Sequence, residues 1–133
     1  MSLPEKQLES APVLLIEDEH GITQFVRSVL ELNGYSVVST DSGAEALRLL
    51  ATQDFRGVIS DMRTPGGVDG AQVYSWIAAN RPSLARKLMF ITGDVANEET
   101  AATLQRTGAP CVEKPFRVAD FVSVVQQTMG KAQ

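Results

Sequence analysis

Short apolar runs recur along this chain of 133 residues, and each stops on polar or acidic residues before a stretch of helical spacing begins. Val13-Leu14-Leu15-Ile16 stops at Glu17-Asp18-Glu19, Val58-Ile59-Ser60 at Asp61, and Leu88-Met89-Phe90-Ile91 at Thr92-Gly93-Asp94. A continuous apolar run of this length is what a strand buried on both faces requires. Tyr35–Ser39 and Ala109–Glu113 supply two more strand-like stretches.

The intervening segments read as helices. Ile22, Phe25, Val26, Val29 and Leu30 fall on one helical face, which Asn33-Gly34 closes. Ser42 and Glu45 have capping-box spacing. The helix that follows them presents Ala44, Leu47, Leu50 and Ala51. Val73, Trp76 and Ile77 mark a third helix, ended by Asn80-Arg81-Pro82. Asn97 with Glu98 and Glu99 opens a fourth, acids favourably placed at its positive end. Its thin apolar face of Ala101, Ala102 and Leu104 makes it the least firmly anchored of the set. Val118, Phe121, Val122, Val125 and Met129 form the last helical face, fraying at Gly130.

Five strands alternating with five helices specify an α/β fold, a three-layer sandwich around a parallel five-stranded sheet. The flavodoxin-like (βα)5 strand order 2-1-3-4-5 sets strands one and three side by side, which brings Glu17 and Asp18 next to Asp61. Residues 12–129 make up this domain, with 1–11 a tail or linker and 130–133 a short tail.

Composition narrows the function. The formal net charge is −4 with no Lys/Arg cluster, which argues against direct nucleic-acid binding. No apolar run approaches the ~20 residues of a membrane span, so no membrane contact is expected of this domain. A single cysteine, Cys111, precludes an intrachain disulfide and fits a cytoplasmic location. There is no Cys/His metal spacing and no Gly-rich phosphate loop.

What remains is a set of polar residues, each just past the carboxyl end of a strand: Glu17, Asp18, Asp61, Thr92 and Lys114. Open parallel sheets collect ligands and chemistry there. Three carboxylates so close repel one another and call for a cation; Mg²⁺, with its preference for hard oxygen ligands, fits, and Lys114 adds a second positive charge. An ionised carboxylate needs no proton relay to attack phosphorus, so Asp61 is the candidate acceptor of a phosphoryl group. The cation, Lys114, the Thr92 hydroxyl and backbone N–H groups are placed to hold the phosphoryl oxygens.

Four segments carry a family resemblance: Leu15-Ile16-Glu17-Asp18-Glu19, Ser60-Asp61-Met62-Arg63-Thr64-Pro65 with Asp69-Gly70, Ile91-Thr92-Gly93, and Glu113-Lys114-Pro115-Phe116. In that order the chain resembles a receiver domain of two-component response regulators over nearly all of residues 12–129. The resemblance implies phosphorylation of Asp61 by the phosphohistidine of a histidine kinase or phosphotransfer protein. It implies Mg²⁺ held by Asp18, Asp61 and the carbonyl of Arg63, with Glu17 acting largely through water. Thr92 and Lys114 are then expected to touch the phosphoryl group, and Lys114-Pro115 to be a cis peptide. The segments around Pro82 and Pro110 further resemble receivers at the C-terminal end of hybrid sensor histidine kinases. The helices from Asn97 and from Val118 are a candidate homodimer surface.

Two departures from the family pattern stand out. The loop after Asp61 is one residue longer, with Gly66-Gly67-Val68 in place of two positions, and Cys111 occupies the usual place of an aromatic switch residue. Output through that switch is therefore in question, and a degenerate receiver serving only protein–protein binding is one alternative. An aspartyl-phosphate phosphatase is another, but Arg63 stands where such an enzyme needs a second acid. A flavin binder on this fold is opposed by the acids after strand one. Glu19 reads as a helix-start acid outside the site, His20 as exposed, Trp76 and Phe116 as packing, Cys111 as a small buried apolar residue, and Gly70 and Gly93 as backbone devices.

Overall fold

The computed structural model describes residues 8–63 and 67–132. Its strands are β1 (Val13–Ile16), β2 (Val37–Thr40), β3 (Gly57–Asp61), β4 (Leu88–Thr92) and β5 (Cys111–Glu113). All pair in parallel, in the order β2-β1-β3-β4-β5. The helices are α1 (His20–Leu32), α2 (Gly43–Thr52), α3 (Gly70–Asn80), α4 (Glu98–Thr107) and α5 (Val118–Met129). A single helical turn, Pro82–Ala85, leads into β4. This is the flavodoxin-like sandwich expected from the alternation.

Side chains along a strand alternate between faces, so each apolar run serves two cores. Val13, Leu15, Ile59, Met89 and Ile91 pack against Val26, Val29 and Leu30 of α1 and Phe121, Val125 and Met129 of α5. Leu14, Ile16, Val58, Leu88 and Phe90 pack against Ala46, Leu49 and Leu50 of α2 and Val73 and Ile77 of α3.

Two helix faces differ from their expected register. In α2 the buried residues are Gly43, Ala46, Leu49 and Leu50, while Ala44 and Ala51 are exposed. Leu47, Leu49 and Leu50 are compatible with either register, and close approach decides between them: a Cβ on Gly43 would lie 2.3 Å from the Val68 carbonyl oxygen. In α4, Ala101 and Ala102 face solvent; Thr100 is the buried residue and Leu104 half-buried. The one large apolar side chain sets the face, and the residue four before it goes inward with it. On α5, Val118 is 46% exposed, and on α1, Phe25 is 43% exposed.

Strand edges shift too. β2 runs Val37–Thr40 instead of starting at Tyr35, and β5 starts at Cys111, after Gly108 ends α4 with a φ of +67°. Ser42 caps α2 by accepting from the Glu45 main chain at 3.1 Å, but the Glu45 side chain pairs with Arg48 instead of reaching back. The reciprocal capping box is on α3, where Asp69 and Gln72 exchange 2.9 Å hydrogen bonds.

One buried charge lies at the far end of the sheet from the acids. Arg56, 6% exposed, donates to the carbonyls of Glu9, Met129, Gly130 and Lys131. Its guanidinium sits 4.9 Å from the centre of the Tyr35 ring, and the Tyr35 hydroxyl also donates to Gly130. This clasp ties both ends of the described chain to the start of β3. Arg56→Ala is expected to lower stability by about 3 kcal/mol, since buried charge-assisted hydrogen bonds are lost and their acceptors left unpaired. Urea denaturation checks the loss, and hydrogen exchange is expected to rise at 8–11 and 130–132.

Candidate functional site

Register brings the acids together. Ile16 pairs with Ser60 and Asp61 with Ile91, so the residues just beyond β1 and those at the end of β3 share one edge. Glu17 is 2% exposed and Asp61 8%. Helix α3 begins directly against this edge: the Gly70 N–H donates to the Met62 carbonyl at 3.0 Å. A Cβ at Gly70 would lie 2.8 Å from the Asp61 carbonyl oxygen. Gly70 thus serves close approach, while a Cβ on Gly93 would meet nothing within 4 Å, so that position does not demand glycine.

Lys114 crosses the edge from the β5 side. Its main-chain N–H donates to the Thr92 carbonyl at 2.7 Å, and the Lys114-Pro115 bond is cis, as expected. Its ammonium Nζ stands 2.6 Å from Glu17 Oε1 and 3.0 Å from Asp61 Oδ2. The second oxygens of both acids are held by main chain: Glu17 Oε2 accepts from Glu19 N at 3.2 Å, and Asp61 Oδ1 from Arg63 N at 3.3 Å. Burial raises the Glu17 carboxyl from 4.5 to about 7 against the opposing pull of Lys114. For Lys114 burial acts to lower the ammonium, and its ion pairs with Glu17 and Asp61 outweigh it, holding the group above the ordinary lysine range.

The other expected residues take distinct places. Thr92 is buried at the end of β4, its Oγ1 accepting from Asp94 N at 3.2 Å. Asp18 is exposed and lines a shallow cavity beside Glu17 with Thr40 and Asp41. Arg63 is exposed at the start of the acid's loop. Thr64, Pro65 and Gly66 lie outside the described residues; Gly67 has a φ of +83°, and Val68 packs half-buried on the α2–α3 side. Cys111 is half-buried against the same core, and burial, reinforced by the charges of Glu113 and Asp61, pushes its thiol up to about 11. It is a neutral packing residue at neutral pH. His20 is exposed, Trp76 half-buried, and Phe116 stacks on Phe121 with centroids 4.9 Å apart.

Sequence reasoning missed one residue. Oxygens of Glu17, Glu19 and Asp61 lie within 4.8 Å of one another, and Lys114 Nζ is also 3.5 Å from Glu19 Oε1. Glu19 stands two residues beyond Glu17 on the same loop, but its position at a helix start has an equally good local explanation, which hid it.

The model of the response regulator receiver domain family matches residues 13–126. The chain belongs to that family. Among curated receivers it is similar to the response regulator protein FleR of Pseudomonas aeruginosa, 33% identical over 87% of this chain and 24% of that protein. It is 37% identical to the C4-dicarboxylate transport transcriptional regulatory protein DctD of Rhizobium meliloti, over 93% of this chain and 26% of that one. The receiver protein CpdR of Brucella abortus is 30% identical over 88% of this chain and 95% of its own length. The chain therefore spans about a quarter of FleR and DctD and nearly all of CpdR. Among solved structures, the NtrX receiver of Brucella abortus superposes with a TM-score of 0.78 at 27% identity, covering 88% of this chain and 97% of that one. The receiver of the sensor histidine kinase PA1611 of Pseudomonas aeruginosa, whose cleft coordinates a magnesium ion, gives 0.78 at 24% identity over 92% and 99%.

The pairing in this receiver makes a pH-dependent prediction. Lys114→Met leaves two buried carboxylates facing each other and raises Glu17 further. A raised acid is stabilising below its unfolded value, 4.5, and that contribution is lost as pH climbs through the folded value. The variant is expected to lose about 3 kcal/mol at pH 8 and less than half of that at pH 5, measured by urea denaturation.

Proposed function

We propose that this receiver domain is a phosphoacceptor in a two-component relay, with Asp61 as the accepting residue. The observation that carries this reading is the lysine ammonium set between two buried acids at the carboxyl ends of adjacent strands. It presents a cation beside the carboxylate oxygen that attacks. An Asp61 oxygen bonds to phosphorus as the P–N bond of a phosphohistidine breaks. The imidazole leaves with the bonding pair and takes up a proton. Lys114 Nζ and the Thr92 hydroxyl hold phosphoryl oxygens, and the Arg63 N–H keeps the Asp61 carboxylate oriented.

The donor set suits a hard divalent ion: Glu17 and Asp61 bring carboxylate oxygens within 4.8 Å of each other, and Asp18 lies exposed on the adjoining cavity. Asp18, Asp61 and the Arg63 carbonyl would hold Mg²⁺, with Glu17 behind them. When bound, Mg²⁺ neutralises charge on the phosphoryl group. The domain takes one phosphoryl group and passes it on or loses it, so it acts as a switch or relay and not as a turnover enzyme.

The partner in this reading is a histidine kinase or phosphotransfer protein. The finer reading of a hybrid-kinase receiver rests on the segments around Pro82 and Pro110 alone, whereas FleR, CpdR and DctD are regulators. No described helix is long and apolar enough to cross a membrane.

Asp61→Asn is expected to abolish label uptake from acetyl phosphate in Mg²⁺ while the circular dichroism spectrum stays parental. Uptake by this variant at the parental rate rules Asp61 out as acceptor. The Glu17 carboxyl stands at about 7, so lowering the pH removes the negative charge behind the ion. Apparent Mg²⁺ affinity is therefore expected to fall about tenfold between pH 8 and pH 6, by calorimetric titration.

A further inference from the structure

The phosphoacceptor reading leaves Glu19 unassigned, yet its carboxylate lies within 4.8 Å of the Glu17 and Asp61 oxygens at the exposed side of the site. Its one side-chain partner among the described residues is Lys114, at 3.5 Å the longest of the lysine's three ion pairs. The Glu19 side chain is 64% exposed, against 0% for Glu17 and 11% for Asp61. Main-chain N–H groups pin the two buried acids. Among the described residues no main-chain N–H pins the Glu19 carboxylate, which is a charge at the entrance and not one of the buried pair.

We propose that Glu19 is a specificity-determining residue, an electrostatic filter that slows phosphoryl transfer from small, freely diffusing anionic donors. The proposal rests on the phosphoacceptor reading of Asp61. A free acyl phosphate brings its charge past Glu19 with no binding energy beyond that of the phosphoryl group. A phosphohistidine on a docked protein arrives with the binding energy of an interface, so one like charge weighs far less on it. The filter thus favours the protein donor without touching the reacting atoms.

Two small donors of different charge test it. Acetyl phosphate is a dianion at neutral pH; as the Asp61 oxygen bonds to phosphorus, the P–O bond to the acetyl group breaks and acetate leaves with the electron pair. Phosphoramidate is a monoanion, already protonated on nitrogen; its P–N bond breaks and ammonia leaves with the pair. The Coulomb penalty scales with donor charge. Glu19→Gln is therefore expected to speed labelling roughly fivefold with acetyl phosphate and roughly twofold with phosphoramidate at low ionic strength, in saturating Mg²⁺. Both ratios are expected to approach one near 1 M salt, where the screening length is about 3 Å. Glu19→Asp keeps the charge and stays within about twofold of the parent with both donors.

Equal acceleration with the two donors, slower labelling, or a salt-independent effect overturns the filter. So does a loss of Mg²⁺ affinity greater than tenfold in Glu19→Gln by calorimetry, which makes Glu19 an ion ligand instead. Asp61→Asn run alongside separates the two levels. Label uptake by that variant overturns the phosphoacceptor reading, whereas its silence with a donor-independent Glu19→Gln overturns the filter alone.

Discussion

The ammonium of Lys114, held between Glu17 and Asp61, is the interaction on which the architecture of this domain turns. Two carboxylates that are almost wholly buried cannot both stay charged in a medium that screens poorly, unless a cation stands between them. The sheet provides that cation from the far side: β1 brings Glu17, β3 brings Asp61, and β4 fixes the lysine's backbone through the Thr92 carbonyl. Three strands distant in sequence must be in register for one ion triad to form.

That arrangement costs the fold something, and the cost is visible in Glu17. Its carboxyl is pushed up to about 7 even with the lysine 2.6 Å away, so desolvation outweighs pairing there. A buried ion pair is weak evidence of stability and better evidence of chemistry. The two apolar layers around Leu15, Ile59 and Phe90 offset the penalty, because their burial does not depend on the charge state of the edge.

Much of this was legible in the residues. Short apolar runs, the helical spacing between them and the polar residue closing most runs were enough to expect a parallel five-stranded sheet. The flavodoxin-like strand order then set Glu17 beside Asp61, with Lys114 past the fifth strand. Periodicity failed where it was degenerate. Leu47, Leu49 and Leu50 fit two registers of α2, and only the contact of Gly43 with Val68, a tertiary fact, chooses one. Glu19 was hidden for a related reason, since an acid at the N-cap of a helix already has a sufficient local explanation. Arg56 was invisible altogether, because its partners are main-chain carbonyls, which carry no sequence signature.

The two ends of β3 show how one strand serves opposite demands. At its start, Gly57 lies so close to α5 that a Cβ would sit 2.6 Å from the Met129 sulfur, and Arg56 closes that end with hydrogen bonds to main chain. At its finish, Gly70 lets α3 reach the Asp61 backbone, while the acid's side chain is met by a lysine and one N–H. The first end is saturated with neutral acceptors around a charge that has no chemistry to do. The second holds charges whose partners can be exchanged, because an ammonium can trade a carboxylate oxygen for a phosphoryl oxygen with little loss. Rigidity at one end of five residues positions the acid, and replaceable ion pairs at the other leave it free to react.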